Sequence, residues 1–185
     1  MPLVAAAAAA GLIIIVAALR MGPPTDPNAA ISLLPMPGPT TGPPGSPREA
    51  ADQFFDRAMR ANENGDTVLA TFAARMAIEA YGMLDAADAD TRFHIGLLGE
   101  ITRDQEAVLA QADSIEIESR EHLFAPLLRA WVYEQREDSD AVQNAYRQFQ
   151  NRYQREMTMI RPEYEAHWPL ISAFRDEALK NAGLK

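Results

Sequence analysis

The chain has 185 residues, none of them cysteine, and a formal net charge of −9. That length suits one domain of ordinary size and not two. The lack of cysteine excludes disulfides, thiolate metal sites, cysteine nucleophiles and a lipidated cysteine anchor. Only Arg20, Asp26 and Arg48 carry charge in the first 48 residues, so the acidic excess lies in the rest. We therefore expect no nucleic-acid partner.

Residues 1–21 are apolar, with Arg20 as their single charged side chain. As a helix they would be about 31 Å long, which matches a hydrocarbon core of about 30 Å. We predict a single N-terminal transmembrane helix, with Gly11, Ala7 and Ala8 as a small-residue surface for packing against another such helix. The alternative is a cleaved signal peptide. The absence of Lys or Arg before the run, and of a small-x-small site directly after it, favours an uncleaved anchor.

Residues 22–48 contain nine of the 13 prolines. Proline and glycine at this density favour polyproline II and turns, so we predict an extended linker. An apolar island interrupts it. Either the linker is a bare spacer, or the island lies along a partner protein through Ile31, Leu33, Leu34 and Met36.

Residues 49–185 are predicted to be an all-α domain. A capping box with Ser46 as N-cap and Pro47 at the first helical position starts the first helix. That helix should end at Asn64-Gly65, where glycine can take the left-handed conformation, and Asp66 should cap the next helix. Such a short turn predicts an antiparallel helical hairpin.

The same unit recurs twice. Helices over 93–101 and 108–117 form a second predicted pair around residues 102–104. Helices over 127–134 and 141–160 form a third around residues 137–140. A spacing of about 34 to 38 residues between helix pairs is typical of a solenoid.

At this point the chain resembles the tetratricopeptide repeat (TPR) family. In the first pair the small and turn residues fall where that family has them, and the later pairs fit after shifts of about one residue. The matching positions are Ala51, Ala58, Gly65, Asp66, Ala70 and Ala77, then Gly96, Ala107 and Ala112, then Ala130, Tyr133, Ala141 and Tyr146. The resemblance covers about residues 49 to 155. It implies a protein-binding scaffold with a concave groove and no chemistry of its own.

Three prolines bound the remaining helices. Pro126 allows the fifth helix to begin no earlier than about Leu123. After Pro162 a last element over 163–182 should be kinked or divided by Pro169, and it is predicted to be the C-terminal capping helix of the repeat stack.

The sequence offers little catalytic or metal chemistry. None of the histidines, His94, His122 and His167, lies within metal-motif spacing of another. Glu163 and His167 are four residues apart, which predicts an ion pair on a solvated helix rather than a site. The Asp85, Asp88 and Asp90 run lacks the glycine and closing glutamate of a calcium loop, so helix caps explain it better. Nucleophile, phosphate-loop and zinc-protease motifs are missing, and we expect no enzyme, cofactor, metal or small-molecule substrate.

One surface of the helical domain is predicted to be a partner contact. On the sixth helix, Val142, Tyr146, Phe149, Tyr153 and Met157 form a stripe that is predicted to be core. Beside it lies a basic flank in an otherwise acidic domain, formed by Arg147, Arg152 and Arg155, with Trp168 following. Arginine and tryptophan are enriched at interface hot spots, although a plain solvated face is the alternative.

Together these features predict a membrane-anchored, non-catalytic accessory subunit that stabilises a larger membrane complex, for example a respiratory or photosynthetic one. An N-terminal anchor of this kind most often exports the domain attached to it, which places the helical domain in the periplasm of a bacterium. Arg20 alone weakly favours the opposite orientation. Two other hypotheses are a periplasmic TPR-type assembly factor with transient clients, and a secreted soluble binding protein if residues 1–21 are cleaved.

Overall fold

The computed structural model describes residues 46–181, and in this range it contains eight α-helices and no β-strand. The predicted all-α class is confirmed for this part of the chain. The helices are α1 Pro47–Glu63, α2 Thr67–Gly82, α3 Ala89–Thr102, α4 Gln105–Glu118, α5 Phe124–Gln135, α6 Ser139–Glu156, α7 Pro162–Ala166 and α8 Trp168–Asn181.

The predicted anchor and most of the linker lie outside the described residues. This applies to Gly11, Ala7 and Ala8 of the anchor and to Ile31, Leu33, Leu34 and Met36 of the linker. Between residues 46 and 181, no helix combines the length and apolar character that a membrane crossing needs.

Three of the helix connections are copies of one turn, and they join α1 to α2, α3 to α4 and α5 to α6. In each, a residue with positive φ is followed at once by an aspartate: Gly65-Asp66, Arg103-Asp104 and Glu137-Asp138. The aspartate N–H donates to the carbonyl five residues earlier at 2.9 to 3.0 Å. Its carboxylate accepts the N–H three residues later at 3.0 to 3.1 Å. One local motif thus ends the first helix and caps the second.

Each helix from α1 to α5 packs against the next one, and the odd-numbered helices α1, α3 and α5 also pack against one another in that order. The core between them is apolar and includes the fully buried Phe93, Phe124, Leu128 and Phe149. At Gly96, a Cβ atom would lie 2.7 Å from a methyl carbon of Leu128. The glycine therefore lets α3 and α5 approach closely, which explains a small residue there.

The stack has two distinct ends. We call the end with the three hairpin turns the turn end; there Gln135 at the end of α5 donates to Glu100 near the end of α3. We call the opposite end the connection end; there Arg48 at the start of α1 donates to the Thr91 hydroxyl at the start of α3, at 2.7 Å. The links between successive hairpins lie at this second end.

The proline predictions are confirmed. Pro126 is the third residue of α5, and the final element is divided at His167 into α7 and α8, with Pro169 in the first turn of α8. Two predicted boundaries were wrong, because α3 begins at Ala89 and not at Phe93, and α6 ends at Glu156 and not at Ile160. Pro162 disfavours helical backbone in the residue before it, and Arg161 is indeed extended (φ −114°, ψ 112°).

Helix α8 packs against α6. The predicted stripe on α6 is core, with Tyr146 and Phe149 buried and Val142, Tyr153 and Met157 packed partly buried against the core. The short α7 crosses the connection end, where Tyr164 is buried with its ring edge on the ring of Phe124. The chain therefore returns, near its C-terminal end, to the start of α3 and α5.

Candidate functional site

The connection end gathers titratable side chains from α1, α2, α3 and the residue between α7 and α8. Asp88 caps α3 by accepting the Thr91 N–H at 2.8 Å, so Asp90 lies in the first turn of that helix and His94 one turn later. His167 reaches the same place from 77 residues further along the chain. We call Asp90, His94 and His167 the His–Asp cluster.

Asp90 is at its centre. Its Oδ1 lies 3.0 Å from His167 Nε2 and 3.7 Å from His94 Nε2, and its Oδ2 accepts from the Arg48 guanidinium at 2.6 Å. Burial alone would raise the pKa of Asp90, but the hydrogen bond from His167 and the nearby positive groups hold that pKa below its ordinary value. Asp90 is therefore a carboxylate at neutral pH.

His94 is held in one orientation by Tyr81. The Tyr81 hydroxyl lies 2.6 Å from Asp52 Oδ1 and 2.8 Å from His94 Nδ1. Because the hydroxyl has one proton and gives it to the carboxylate, Nδ1 carries the imidazole proton and donates to the tyrosine oxygen. Burial lowers the pKa of His94 to about 4. The ring is thus neutral at pH 7, and the lone pair of Nε2 is on the side of Asp90.

The ring of His167 is enclosed by aromatic side chains. It meets Phe93 and Phe124 edge to face, with ring centres 4.9 and 5.5 Å away. The predicted ion pair between Glu163 and His167 was wrong. Helix α7 ends at Ala166, so His167 turns towards Asp90, while Glu163 Oε1 lies 3.2 Å from His122 Nε2.

Around the cluster, the charged contacts leave an excess of negative charge. Arg48 pairs with Asp90 and also with Asp52 at 3.2 Å and Asp88 at 3.4 Å. Apart from the imidazoles, the three carboxylates and one guanidinium carry a net charge of −2. A cation bound among these groups would offset this charge.

The cluster has the composition of a metal-binding site. One donor atom from each of Asp90, His94 and His167 lies within 4.8 Å of the others. Sequence reasoning predicted no metal ligands. The Asp90 and His94 pair, four residues apart on one helix face, was a visible signal, but no local pattern indicates that His167 joins it.

A second polar group fastens α7 below this cluster. Glu156 is buried, and its Oε2 accepts from Arg161 Nε and from the Tyr164 hydroxyl, both at 2.7 Å. Tyr164 in turn accepts the Leu123 N–H at 2.9 Å. His122, also buried, accepts the Phe124 N–H through Nδ1, so Nε2 carries the proton that faces Glu163. These bonds fix the start of α5 and the course of α7.

The predicted basic flank of α6 does not stay together as one surface. Arg152 is only 11% exposed and pairs with Glu116 on α4, so it links two helices of the stack. Arg155 is exposed and pairs with Glu121 at 2.7 Å, and Arg147 is exposed. A partner contact at Arg147 and Arg155 stays a prediction.

Trp168 belongs to a different surface, which is mostly apolar. It lines a shallow depression of about 460 Å³ with Met157, Met159, Ile160, Tyr164 and the charged Arg161 and Glu165. Ile160 is 99% exposed and Trp168 is 44% exposed. We call Met159, Ile160 and Trp168 the apolar patch. Sequence reasoning identified the tryptophan but not its neighbours, because it placed Met159 and Ile160 on a helix.

Comparison with known proteins gave no match to this chain among family models, curated proteins or solved structures.

Proposed function

We propose that the chain is a non-catalytic, protein-binding scaffold built from TPR-like helical hairpins. The observation that carries the proposal is the triple recurrence of one turn. Asp66, Asp104 and Asp138 make the same two hydrogen bonds and stand 38 and 34 residues apart. In a stack of such units each hairpin buries its apolar face on the next, and the remaining surface is available to bind other proteins.

The role proposed for this scaffold is that of an accessory subunit. A transmembrane helix over residues 1–21 and a proline-rich linker over 22–48 would hold the helical domain near other membrane proteins, on the periplasmic side of a bacterial inner membrane. There it would stabilise a larger complex, of which a respiratory or photosynthetic one is an example. The anchor, linker, location and host complex are inferred from sequence.

The apolar patch is the contact we propose for the neighbouring subunit. Ile160 is almost fully exposed and has no packing role within the domain, and Trp168 beside it is partly exposed. Aromatic and aliphatic anchors are frequent at the centre of interfaces. The patch lies on the loop after α6 and on α8, so a partner that covers it would leave the three hairpins accessible.

The test is purification of the full chain from its own membranes in mild detergent, followed by identification and quantification of comigrating proteins. We expect a fixed set of membrane subunits near equimolar ratio with the wild type. Ile160→Ser should weaken the affinity by about tenfold and thereby lower that ratio, since a buried isoleucine contributes on the order of 1.5 kcal/mol.

Ile117→Ser is the matched control, because Ile117 is 85% exposed but lies on α4. It should leave the ratio unchanged. A loss with Ile117→Ser alone would move the contact to α4. A free monomer would overturn the accessory role, and so would a varying mixture of substoichiometric clients, which would indicate an assembly factor. A mature N-terminus beyond residue 21 would indicate a secreted protein.

A further inference from the structure

We propose that Asp90, His94 and His167 bind a divalent first-row transition metal ion, of which Zn²⁺ is the representative, and that this ion fastens the C-terminal segment to α3. The inference is independent of the proposed scaffold function. It depends on donor type, donor spacing and the groups that hold the donors in place.

The donor spacing suits such an ion. Zinc binds imidazole nitrogen and carboxylate oxygen at about 2.0 to 2.2 Å, so neighbouring donors of a tetrahedral ion are about 3.3 Å apart. The two distances from Asp90 Oδ1, 3.0 Å to His167 Nε2 and 3.7 Å to His94 Nε2, lie on either side of that value. The ion would take the place of the Nε2 proton that His167 donates to Asp90, and in the neutral ring that proton would move to Nδ1.

The donor type selects the class of metal. Two neutral imidazoles and one carboxylate suit zinc, iron, nickel and copper ions, whereas magnesium and calcium prefer sites made of oxygen donors. Three protein donors leave at least one coordination position for water or for a donor from a partner.

A second layer of contacts orients the donors. Tyr81 accepts the Nδ1 proton of His94 and is itself held by Asp52, an arrangement that presents Nε2 as the donor. Metal-binding histidines commonly have such a partner on the other nitrogen. Phe55 stacks on the ring of His94 with centres 3.9 Å apart, which limits its rotation.

The positive charge of Arg48 beside Asp90 disfavours binding of a cation. Arg48 occupies Oδ2 and leaves Oδ1 to the ion, and Asp52 and Asp88 offset its charge. The remaining net charge of −2 favours a divalent cation. With the ion bound, the cluster would be close to neutral.

The experiment uses the full chain in detergent, without a polyhistidine tag, stripped with a chelator and dialysed. Titration with Co²⁺ should give visible absorption typical of a nitrogen- and oxygen-ligated ion and should saturate at one ion per chain. Zn²⁺ should abolish that absorption by competition. It should also raise the melting temperature of the wild type, because a ligand that binds only the folded state stabilises it.

The variants make the assignment specific. His94→Gln, His167→Gln and Asp90→Asn should each abolish the absorption and the rise in melting temperature. Tyr81→Phe should weaken binding by about tenfold, since it removes only the partner of Nδ1. The matched control is Asp113→Asn, which removes an exposed carboxylate outside the cluster and should bind as the wild type does.

Circular dichroism of each variant shows whether it folds. If a histidine variant does not fold, Tyr81→Phe and Asp90→Asn provide the test of metal binding. Absence of Co²⁺ and Zn²⁺ binding by the wild type would overturn the proposal and leave the cluster as a hydrogen-bonded polar group. Binding that persists in all three ligand variants would overturn it too, since the ion would then lie elsewhere.

Discussion

At the turn end of the stack, three hairpins repeat one set of local hydrogen bonds, whereas the connection end is held by contacts between residues far apart in sequence. Each turn is complete within about ten residues, and its aspartate acts on its own neighbours. At the connection end, Asp90 meets His167, and Leu123 meets Tyr164 across 41 residues. Local hydrogen bonds therefore build each hairpin, and long-range polar contacts hold the C-terminal segment, which is not part of the repeat, against the stack.

Of the substitutions that distinguish the two ends, Glu156→Ala at the connection end is expected to have the largest effect on stability. The substitution removes a buried carboxylate that accepts from Arg161 and Tyr164, and it should lower the free energy of unfolding by about 3 kcal/mol, as for other broken buried pairs. Urea unfolding followed by circular dichroism measures it. The control is Glu106→Ala, which breaks an exposed ion pair with Arg136 and should cost less than about 0.5 kcal/mol. Equal losses would refute the special role of the connection end.

A pH-dependent effect is expected at the turn end. Burial, with the nearby charge of Glu134, raises the pKa of Glu100 to about 7, and its Oε1 has no hydrogen-bond partner in the described residues. The folded state therefore holds this proton over a range where the unfolded chain has lost it. The stability associated with it falls as the pH rises from about 4.5 towards 7 and stays low above that.

Glu100→Gln should remove this penalty. We expect it to raise the free energy of unfolding by about 2 kcal/mol near pH 8 and by almost nothing near pH 4. Urea unfolding at both pH values measures the difference. Glu106→Gln, at an exposed carboxylate near the same end, is the control. If Glu100→Gln raises the free energy of unfolding equally at both pH values, the stabilisation comes from packing and not from ionisation of Glu100.

A smaller and uniform effect is expected at the three caps. Asp66→Ala, Asp104→Ala and Asp138→Ala should each cost about 1 kcal/mol, because each leaves a helical N–H without its acceptor. Thermal and urea unfolding of the three variants, with Asp56→Ala on the exposed face of α1 as the control, measure this. A cost confined to one of the three would mean that the turns are alike in geometry but not in energy.

The smallest effects are expected at the positive-φ residues of the same turns. Arg103→Gly and Glu137→Gly should each stabilise the fold by about 0.5 to 1 kcal/mol, and Gly65→Ala should destabilise it by about 1 kcal/mol. Gly82→Ala is the control, since a Cβ there meets no atom within 4 Å. If Gly65→Ala and Gly82→Ala behave alike, backbone conformation does not matter at the turn.

The turn end, which is built from local contacts, could be predicted from the sequence, whereas the long-range contacts of the connection end could not. Gly65-Asp66, Pro126 and Pro169 act on their own neighbours, so the turn, the start of α5 and the break before α8 were predictable. The third copy of the turn was predicted to lie around residues 137–140, and Glu137 and Asp138 are indeed its central residues.

The His–Asp cluster was not predictable in this way. Its third member is 77 residues from Asp90, and its position depends on how α7 crosses the stack, which is set by buried contacts such as Glu156 with Tyr164. Arg152 illustrates the same limit. Its sequence neighbours suggested a free basic face, whereas Glu116, 36 residues away, neutralises it.

The distance in sequence between Asp90 and His167 also has a consequence for synthesis. At about 5 to 20 residues per second, the ribosome adds His167 roughly 4 to 15 s after Asp90, long after the first hairpin has emerged. Until His167 is added, Phe93 and, once it has been synthesised, Phe124 lack the ring that meets them edge to face. The nascent hairpins therefore lack part of their aromatic packing until the C-terminal segment has been made.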